Sequence, residues 1–177
     1  MTKSIILTGP KHSGKTSTGK LLASLRSCEF VDVDELIFQR TGKTPRQLYT
    51  EGQQVFRNAE AEAMETLVSS DKTAQRVIAT GGGIIDNAEA LAVLKKIDAK
   101  VVYLDIYANS AWDRISNSAD GILPPALRTG NPQETHRLLH ERRASAYLQI
   151  ADIVIFADGK SLEEIAAEII GLINSKE

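Results

Sequence analysis

The sequence TGPKHSGKTSTG, residues 8 to 19, follows a short apolar run and opens a segment rich in helix formers. Within it, Gly9, Gly14, Lys15 and Thr16 satisfy the pattern G-x-x-x-x-G-K-[ST] without deviation. Loops of this pattern wrap phosphates, because the glycines let backbone N–H groups point inward and the next helix presents its positive end. The lysine can then reach the β- and γ-phosphates, and the threonine hydroxyl can ligate Mg²⁺. The stretch therefore predicts a nucleotide site between the first strand and the first helix.

Outward from this loop, apolar runs alternate with segments of helical spacing. Strands are expected at 3–9, 28–34, 76–80, 100–106 and 152–156, and helices at 15–25, 34–41, 45–70, 87–97, 109–118, 133–150 and 161–174. Continuous apolar strands that are each followed by a helix are typical of a parallel sheet covered on both faces. The predicted fold class is therefore α/β. Right-handed crossovers place the carboxyl ends of the strands, where ligands bind, at one edge.

The composition of the 177 residues is that of an ordinary globular protein, with 42% hydrophobic and 25% charged residues. A net charge of −2 provides no broad basic surface, which argues against a dedicated nucleic-acid binder. No apolar stretch is long enough to span a membrane, and the apolar run at the N-terminus is too short for a signal peptide. We therefore expect a cytoplasmic protein with no nucleic-acid or membrane partner. A monomer is the separate expectation for its oligomeric state.

Two carboxylates, Asp32 and Asp34, stand at the expected end of the second strand. Residues two apart on a strand face the same side, so both are expected near the phosphate loop. One of them is suited to hold Mg²⁺ through water, and the other to accept a hydrogen bond from an attacking alcohol. A structural role is the alternative, because Asp34 is also a good N-cap for the helix that follows.

Arginines and glycines supply further candidate groups. Arg57 lies on an expected helix, where an exposed pair with Glu60 is the simplest structural role. The glycines at 81–83 end the third strand at the ligand edge and indicate a close approach of the backbone to another group. Arg142 and Arg143 offer guanidinium groups that bind carboxylates as rigid two-pronged donors, although one of the two can equally belong to a solvated basic face.

The order phosphate loop, D-x-D, F-R-x-x-E, G-G-G and E-R-R-x-x-x-Y resembles the shikimate kinase family, in the nucleoside-monophosphate-kinase-like branch of phosphate-loop kinases. The resemblance runs from Ile5 to about Ile170. It implies a parallel five-stranded sheet of order 2-3-1-4-5 in a single phosphate-loop kinase domain over 1–177, with a substrate-binding region at about 34–61 and a lid at about 118–133. The implied reaction is ATP-dependent phosphorylation of a shikimate hydroxyl to shikimate 3-phosphate, in aromatic amino-acid biosynthesis, with ATP as co-substrate and Mg²⁺ as cofactor.

The resemblance also implies a role for each matching residue. ATP would be bound by Gly9, Gly14, Lys15, Thr16, Ser17 and Arg114, the metal by Thr16 and Asp32, and shikimate by Asp34, Arg57, Gly81, Gly82, Gly83 and Arg143. Arg143, rather than Arg142, matches the clamp on the substrate carboxylate because it stands four residues before Tyr147. Lys15 and Asp34 are the expected catalytic residues in this family pattern.

The sequence departs from the family in the lid, where R-P-L-L is usual and this chain reads GILPPALRTGNP. The residue at the position of the family arginine is Leu123 or Pro124. We expect Arg128 to supply the missing charge as a further catalytic residue, with Arg137 as the second candidate. Two other functions stay open at this point. They are a kinase for another hydroxy acid, such as gluconate, and a nucleotide-dependent sensor without turnover.

Overall fold

The computed structural model describes residues 4–69, 74–117, 123–124, 127–128 and 130–175. The strands are β1 (Ser4–Thr8), β2 (Glu29–Asp32), β3 (Arg76–Ala79), β4 (Ala99–Asp105) and β5 (Ile153–Phe156). The helices are α1 (Lys15–Leu25), α2 (Val33–Thr41), α3 (Pro45–Glu51), α4 (Gln53–Ser69), α5 (Ala88–Leu94), α6 (Ala108–Ser116), α7 (Pro132–Ile150) and α8 (Leu162–Asn174). A 3₁₀ turn covers Ile84–Asp86.

All five strands are parallel and form one sheet in the order β2-β3-β1-β4-β5, which confirms the predicted fold class and strand order. The register pairs Leu7 of β1 with Ala79 of β3, and Ala79 is also opposite Asp32 of β2. The carboxyl ends of these three strands are therefore neighbours. The segments that follow them leave the sheet at one place, as the parallel topology requires.

The hydrophobic core lies on both faces of the sheet. Ile5 and Leu7 point into a cluster shared with α1 and α8, whereas Ile6 points into a second cluster shared with α2, α4 and α5. Each of these three side chains is at most 1% exposed. A central strand buried on both faces has no polar side, which explains why the strands read as continuous apolar runs. Within the described residues, no helix combines the length and the apolar character needed to cross a membrane.

The second strand is shorter than expected, and this changes the position of Asp34. The strand ends at Asp32, whose carboxylate accepts a hydrogen bond from the Asp34 backbone N–H at 3.0 Å and caps α2. An N-cap of this kind stabilises a helix by about 1 kcal/mol, so the helix begins at once. The prediction that both carboxylates end the strand is therefore wrong for Asp34, which lies in the first turn of α2. The alternative, Asp34 as the N-cap, is wrong for the same reason.

The helix expected at 45–70 is two helices separated at Gly52. The first of them, α3, starts with Pro45 and is fixed by a reciprocal capping box between Thr44 and Gln47. Leu48 anchors it to the core. The second helix, α4, carries Arg57 toward the sheet edge that the phosphate loop also occupies.

Candidate active site

The phosphate loop between β1 and α1 has the backbone shape that its sequence predicts. Gly9 and Gly14 both have positive φ values, 138° and 94°. A Cβ atom on Gly9 would stand 2.5 Å from the Leu104 carbonyl oxygen, so no side chain fits there. Lys15 donates from Nζ to the carbonyl oxygens of Gly9 and Pro10 at 2.9 and 2.7 Å. Burial lowers the pKa of Lys15 to about 8, although Asp34 and Asp32 act to raise it.

Thr16 and Asp32 meet at the mouth of this loop. The Thr16 hydroxyl donates to a carboxylate oxygen of Asp32 at 2.8 Å, and the next residue, Ser17, lies exposed in the first turn of α1. Hydroxyl and carboxylate oxygens are the ligands that Mg²⁺ prefers, and this ion commonly takes only one or two protein ligands beside phosphates and water. The described residues hold no larger cluster of His, Cys, Asp or Glu suited to a metal. The donor pair therefore fits a magnesium ion bound together with phosphates.

Arg114 lies on α6, the helix that follows β4, and its side chain reaches the phosphate loop. Its Nη1 donates to the His12 carbonyl at 2.8 Å, and its Nη2 pairs with Asp158 at 3.2 Å. Asp158 follows β5 and also accepts a hydrogen bond from the Tyr107 backbone N–H at 2.6 Å. The guanidinium thus ties the phosphate loop to the segment after β5, beside the predicted nucleotide site.

A cavity of about 510 Å³ adjoins the phosphate loop. It brings together the predicted acceptor-binding residues Asp34, Arg57, Gly81, Gly82, Gly83 and Arg143, which come from α2, α4, α7 and the segment after β3. Pro10 and Lys11 of the phosphate loop are also in its wall. A Cβ atom on Gly82 would stand 3.0 Å from the Lys11 backbone nitrogen. The two predicted sites therefore share a boundary made of main chain.

Two carboxyl groups flank Gly81, that of the solvent-exposed Asp34 and that of the fully buried Glu60. A Cβ atom at this position would stand 3.2 Å from Asp34 Oδ1 and 3.3 Å from Glu60 Oε1, so a side chain here would displace one of them. Partial loss of hydration in the cavity raises the pKa of Asp34, and the nearby charge of Asp32 raises it further. Burial raises the pKa of Glu60, to about 7, against the opposing effect of a hydrogen bond from Asn87. Both groups therefore hold protons more readily than freely hydrated carboxylates do.

The sequence offered an exposed ion pair with Glu60 as the simplest structural role of Arg57, and Glu60 does not form this exposed pair. Its side chain is fully buried, and Oε2 accepts a hydrogen bond from Asn87 Nδ2 at 2.9 Å. The same amide group donates to the Arg57 backbone carbonyl at 2.8 Å. Asn87 thereby fixes the α4 turn from which the Arg57 side chain enters the cavity.

Arg143 and Arg142 share one carboxylate, that of Asp86. Arg143 donates from Nε at 2.9 Å and from Nη2 at 2.7 Å, both to Oδ2. Arg142 lies 2.7 Å from Oδ1 through Nη1 and 3.0 Å from Oδ2 through Nη2. Arg143 is in the cavity wall, whereas the side chain of Arg142 is 60% exposed. Arg143, rather than Arg142, therefore lies in the cavity wall, and its assignment to the acceptor stays a prediction.

Tyr147 fixes the glycine segment from the same helix. Its ring is buried against Tyr103, with 5.0 Å between ring centroids, and its hydroxyl donates to the Gly82 carbonyl. The triple glycine is therefore held from behind by α7 while its other side faces the cavity.

The two candidates for the missing lid charge each bind a partner that is not among the predicted acceptor-binding residues. Arg128 donates from Nε to the Leu123 carbonyl at 3.1 Å, and Arg137 pairs with Glu134 at 2.7 Å. Neither contributes to the cavity wall among the described residues. The expected lid positions 118–122, 125–126 and 129 lie outside the described residues. The catalytic roles of Arg128 and Arg137 therefore stay predictions.

Several residues of the site were missed by the sequence reasoning. Arg46 of α3 lies in the cavity wall and donates to the Leu123 carbonyl at 3.0 Å. No local signal could have found this contact, because 77 positions separate its partners. Asp86 and Asn87 had a weak signal, since they are polar residues shortly after the triple glycine that follows β3.

Comparisons with known proteins agree with this geometry. The family model described as shikimate kinase matches residues 11–174. A shikimate kinase of Marinomonas sp. is 35% identical over 170 residues, which are 96% of this chain and 91% of that protein. The structure of shikimate kinase from Acinetobacter baumannii in complex with shikimate has a TM-score of 0.87 at 32% identity, covering 100% of this chain and 96% of that one.

A gluconokinase from Sinorhizobium meliloti is similar in fold alone. Its TM-score is 0.54 at 14% identity, with 98% of this chain and 92% of that chain covered. The match to shikimate kinases is stronger, since the family model covers residues 11–174 and the Marinomonas protein is 35% identical. The chain belongs to the shikimate kinase family.

Proposed function

We propose that this protein transfers the γ-phosphoryl group of ATP to a hydroxyl of shikimate, giving shikimate 3-phosphate. The observation that carries the proposal is the cavity beside the phosphate loop, whose wall contains the side chains of Arg57, Arg143 and Asp34. Two guanidinium groups suit a carboxylate, and an aspartate in the cavity wall suits a hydroxyl, so the cavity matches a compact hydroxy acid. The gluconate alternative is not favoured, because the gluconokinase likeness is one of fold alone.

On the nucleotide side, we infer that the phosphate groups of ATP lie in the loop from Gly9 to Thr16. Backbone N–H groups and the start of α1 would attract them, and the Lys15 ammonium would exchange its two carbonyl partners for phosphate oxygens. Thr16 and Asp32 would hold Mg²⁺, which neutralises charge on the β- and γ-phosphate oxygens when bound. Arg114 is placed to contact the base of the nucleotide, because it links the phosphate loop with the segment after β5.

On the acceptor side, Arg57 and Arg143 would bind the carboxylate of shikimate, and Asp34 would accept a hydrogen bond from the reacting hydroxyl. The backbone of Gly81, Gly82 and Gly83 would approach the ring closely, since none of these positions carries a side chain. Substrate alignment of this kind supplies much of the rate in phosphoryl transfer, where the protein performs little covalent chemistry.

In the transfer step, a bond forms between the acceptor oxygen and the γ-phosphorus, and the bond from that phosphorus to the β–γ bridging oxygen breaks. The hydroxyl proton passes to the carboxylate of Asp34. Partial loss of hydration in the cavity and the charge of Asp32 raise the pKa of Asp34, which makes it a better proton acceptor than a freely hydrated aspartate. Lys15 and the N–H groups at the start of α1 stabilise the negative charge on the transferred group.

We further propose that the chain acts as a single phosphate-loop kinase domain and as a cytoplasmic monomer. The substrate-binding region would extend over about 34–61, and the lid over about 118–133.

A coupled assay of ADP release with shikimate, quinate and gluconate tests the proposed function. We expect turnover with shikimate and little with the other two acids, and ³¹P NMR of the product should show one phosphomonoester on the ring. Asp34→Asn is the control for contaminating kinase activity, because its turnover should fall sharply. Tight ATP binding without turnover of any of the acids would contradict the proposal and favour a sensor.

A further inference from the structure

We propose that Asp86 is a positioning residue for recognition of the acceptor's carboxylate. It would orient the guanidinium of Arg143, while Arg142 compensates the negative charge that this orientation introduces. The inference rests on the proposed function, since it assigns the cavity-facing part of Arg143 to the carboxylate of the substrate.

The hydrogen-bond geometry of Arg143 supports this assignment. A guanidinium group has a side edge, formed by Nε and Nη2, and an end edge, formed by Nη1 and Nη2. Arg143 binds Asp86 through Nε and Nη2, so its side edge is occupied by the protein's own carboxylate. Within the described part of the chain, Nη1 has no such partner. The end edge therefore stays available for a second carboxylate, and its direction is set by the first.

The charges in this cluster favour a net attraction for an anion. If Asp86 paired with Arg143 alone, the pair would be neutral and the cavity would lose a positive charge. Arg142 binds the same carboxylate through both Nη atoms, so three charged groups sum to one positive charge. The side chains of Arg142, Asp86 and Arg143 are 60%, 18% and 23% exposed, so the compensating arginine is the outermost member.

Asp86 is itself fixed relative to the triple glycine. It ends the 3₁₀ turn Ile84–Asp86, and its backbone N–H donates to the Gly83 carbonyl at 2.9 Å. Ile84 anchors this turn in the core. Burial acts to raise the pKa of Asp86, but the hydrogen bonds and charges of Arg142 and Arg143 outweigh it and hold the pKa below its usual value. A charged carboxylate on a fixed turn therefore aligns Arg143 with the glycines of the acceptor cavity.

Steady-state kinetics of Asp86→Asn tests the inference, because this change keeps the size of the side chain and removes its charge. We expect the KM for shikimate to rise roughly tenfold, with kcat and the KM for ATP within about twofold of the parent values. Glu62→Gln is the matched control. It removes an exposed carboxylate that lies 3.8 Å from Arg40, outside the cavity, and should leave all three constants unchanged.

A double-mutant cycle separates positioning from a general structural effect. In an Arg143→Ala background, Asp86→Asn should raise the KM for shikimate no further, since the group it orients is gone. Arg142→Ala changes an exposed side chain and should by itself raise the KM for shikimate about threefold. In the Asp86→Asn background, the same change should raise this KM no further.

Suppose that the parent protein phosphorylates shikimate. An unchanged or lowered KM for shikimate in Asp86→Asn would then overturn this inference and leave the proposed function standing. A lowered value would mean that Asp86 competes with the substrate for Arg143. A parent protein that fails to phosphorylate shikimate would overturn the proposed function and this inference together.

Discussion

The phosphate loop and the acceptor cavity are neighbours, yet one is local in sequence and the other is not. Gly9 to Thr16 are consecutive residues, and their contacts with Lys15 are made largely by the main chain. The cavity takes its wall from α2, α3, α4, α7 and the segment after β3. The comparison teaches that nucleotide binding should survive most side-chain changes in the cavity, whereas recognition of the acid depends on a few side chains in register.

The largest expected effect tests whether Asp34 belongs functionally to the acceptor side. Asp34→Asn keeps the size of the side chain but removes its ability to take a proton. Since general-base groups typically contribute a factor of 10²–10⁴, we expect kcat to fall by about 10³ with ATP binding intact. Single-turnover kinetics and nucleotide titration measure the two quantities. Near-normal turnover would remove Asp34 from the chemical step.

The second prediction concerns Arg57 and the independence of the two sites. Arg57→Ala removes a guanidinium group from the cavity, and truncating a partner of a buried charge pair costs about 3 kcal/mol. We therefore expect the KM for shikimate to rise by about two orders of magnitude, while the dissociation constant for ATP stays within about twofold. Equal weakening of both ligands would break the comparison, because the cavity would then also support the nucleotide.

The third prediction uses the buried carboxyl group of Glu60. Its pKa in the folded protein is raised from 4.5 to about 7, so folding favours the protonated form. The contribution of Glu60 to the free energy of unfolding is therefore greatest below pH 4.5 and is lost as the pH rises through about 7. A shift of this size corresponds to roughly 3 kcal/mol, so Glu60→Gln should gain about that much stability relative to the parent protein between pH 4.5 and 8.

Urea unfolding at several pH values measures this difference. Glu62→Gln, an exposed carboxylate on the same helix, should show no such trend. A constant stability difference between Glu60→Gln and the parent protein across this pH range would show that Glu60 titrates normally.

The smallest expected effect compares two arginines that donate to the same carbonyl. Arg46 and Arg128 both bind the Leu123 carbonyl, at 3.0 and 3.1 Å, but Arg46 also lies in the cavity wall. If Arg128 replaces the missing lid charge, Arg128→Ala should lower kcat by about tenfold or more, since a charged transition-state contact is lost. Arg46→Ala should instead raise the KM for shikimate by a few-fold. Unchanged kcat in Arg128→Ala would exclude its catalytic role.

The sequence was most informative where structure depends on neighbouring residues. The phosphate loop and all five strands follow from short-range patterns, and the strand order was implied by the family resemblance. The end of β2 was misplaced by two residues, because the capping hydrogen bond from Asp34 to Asp32 competes with strand extension. That competition is decided by side-chain geometry, which a hydrophobic pattern does not contain.

The acceptor cavity was predictable only in part, for a reason visible in Asp86. Its partners Arg142 and Arg143 are 56 and 57 positions away, so nothing near Asp86 in the sequence indicates that it carries two guanidinium groups. The same holds for Glu60, whose buried carboxylate accepts a hydrogen bond from Asn87 of a different element. Composition and spacing identify candidate groups, whereas their pairing and burial follow from tertiary packing.

The closeness of Gly82 to the backbone nitrogen of Lys11 has a consequence for the evolution of new acceptors. Since Gly82 carries no side chain, substitutions elsewhere in the cavity wall can change which acid is bound without altering this close approach of the two backbones. A residue larger than glycine at position 82 would crowd the Lys11 backbone nitrogen, so the boundary itself would have to shift.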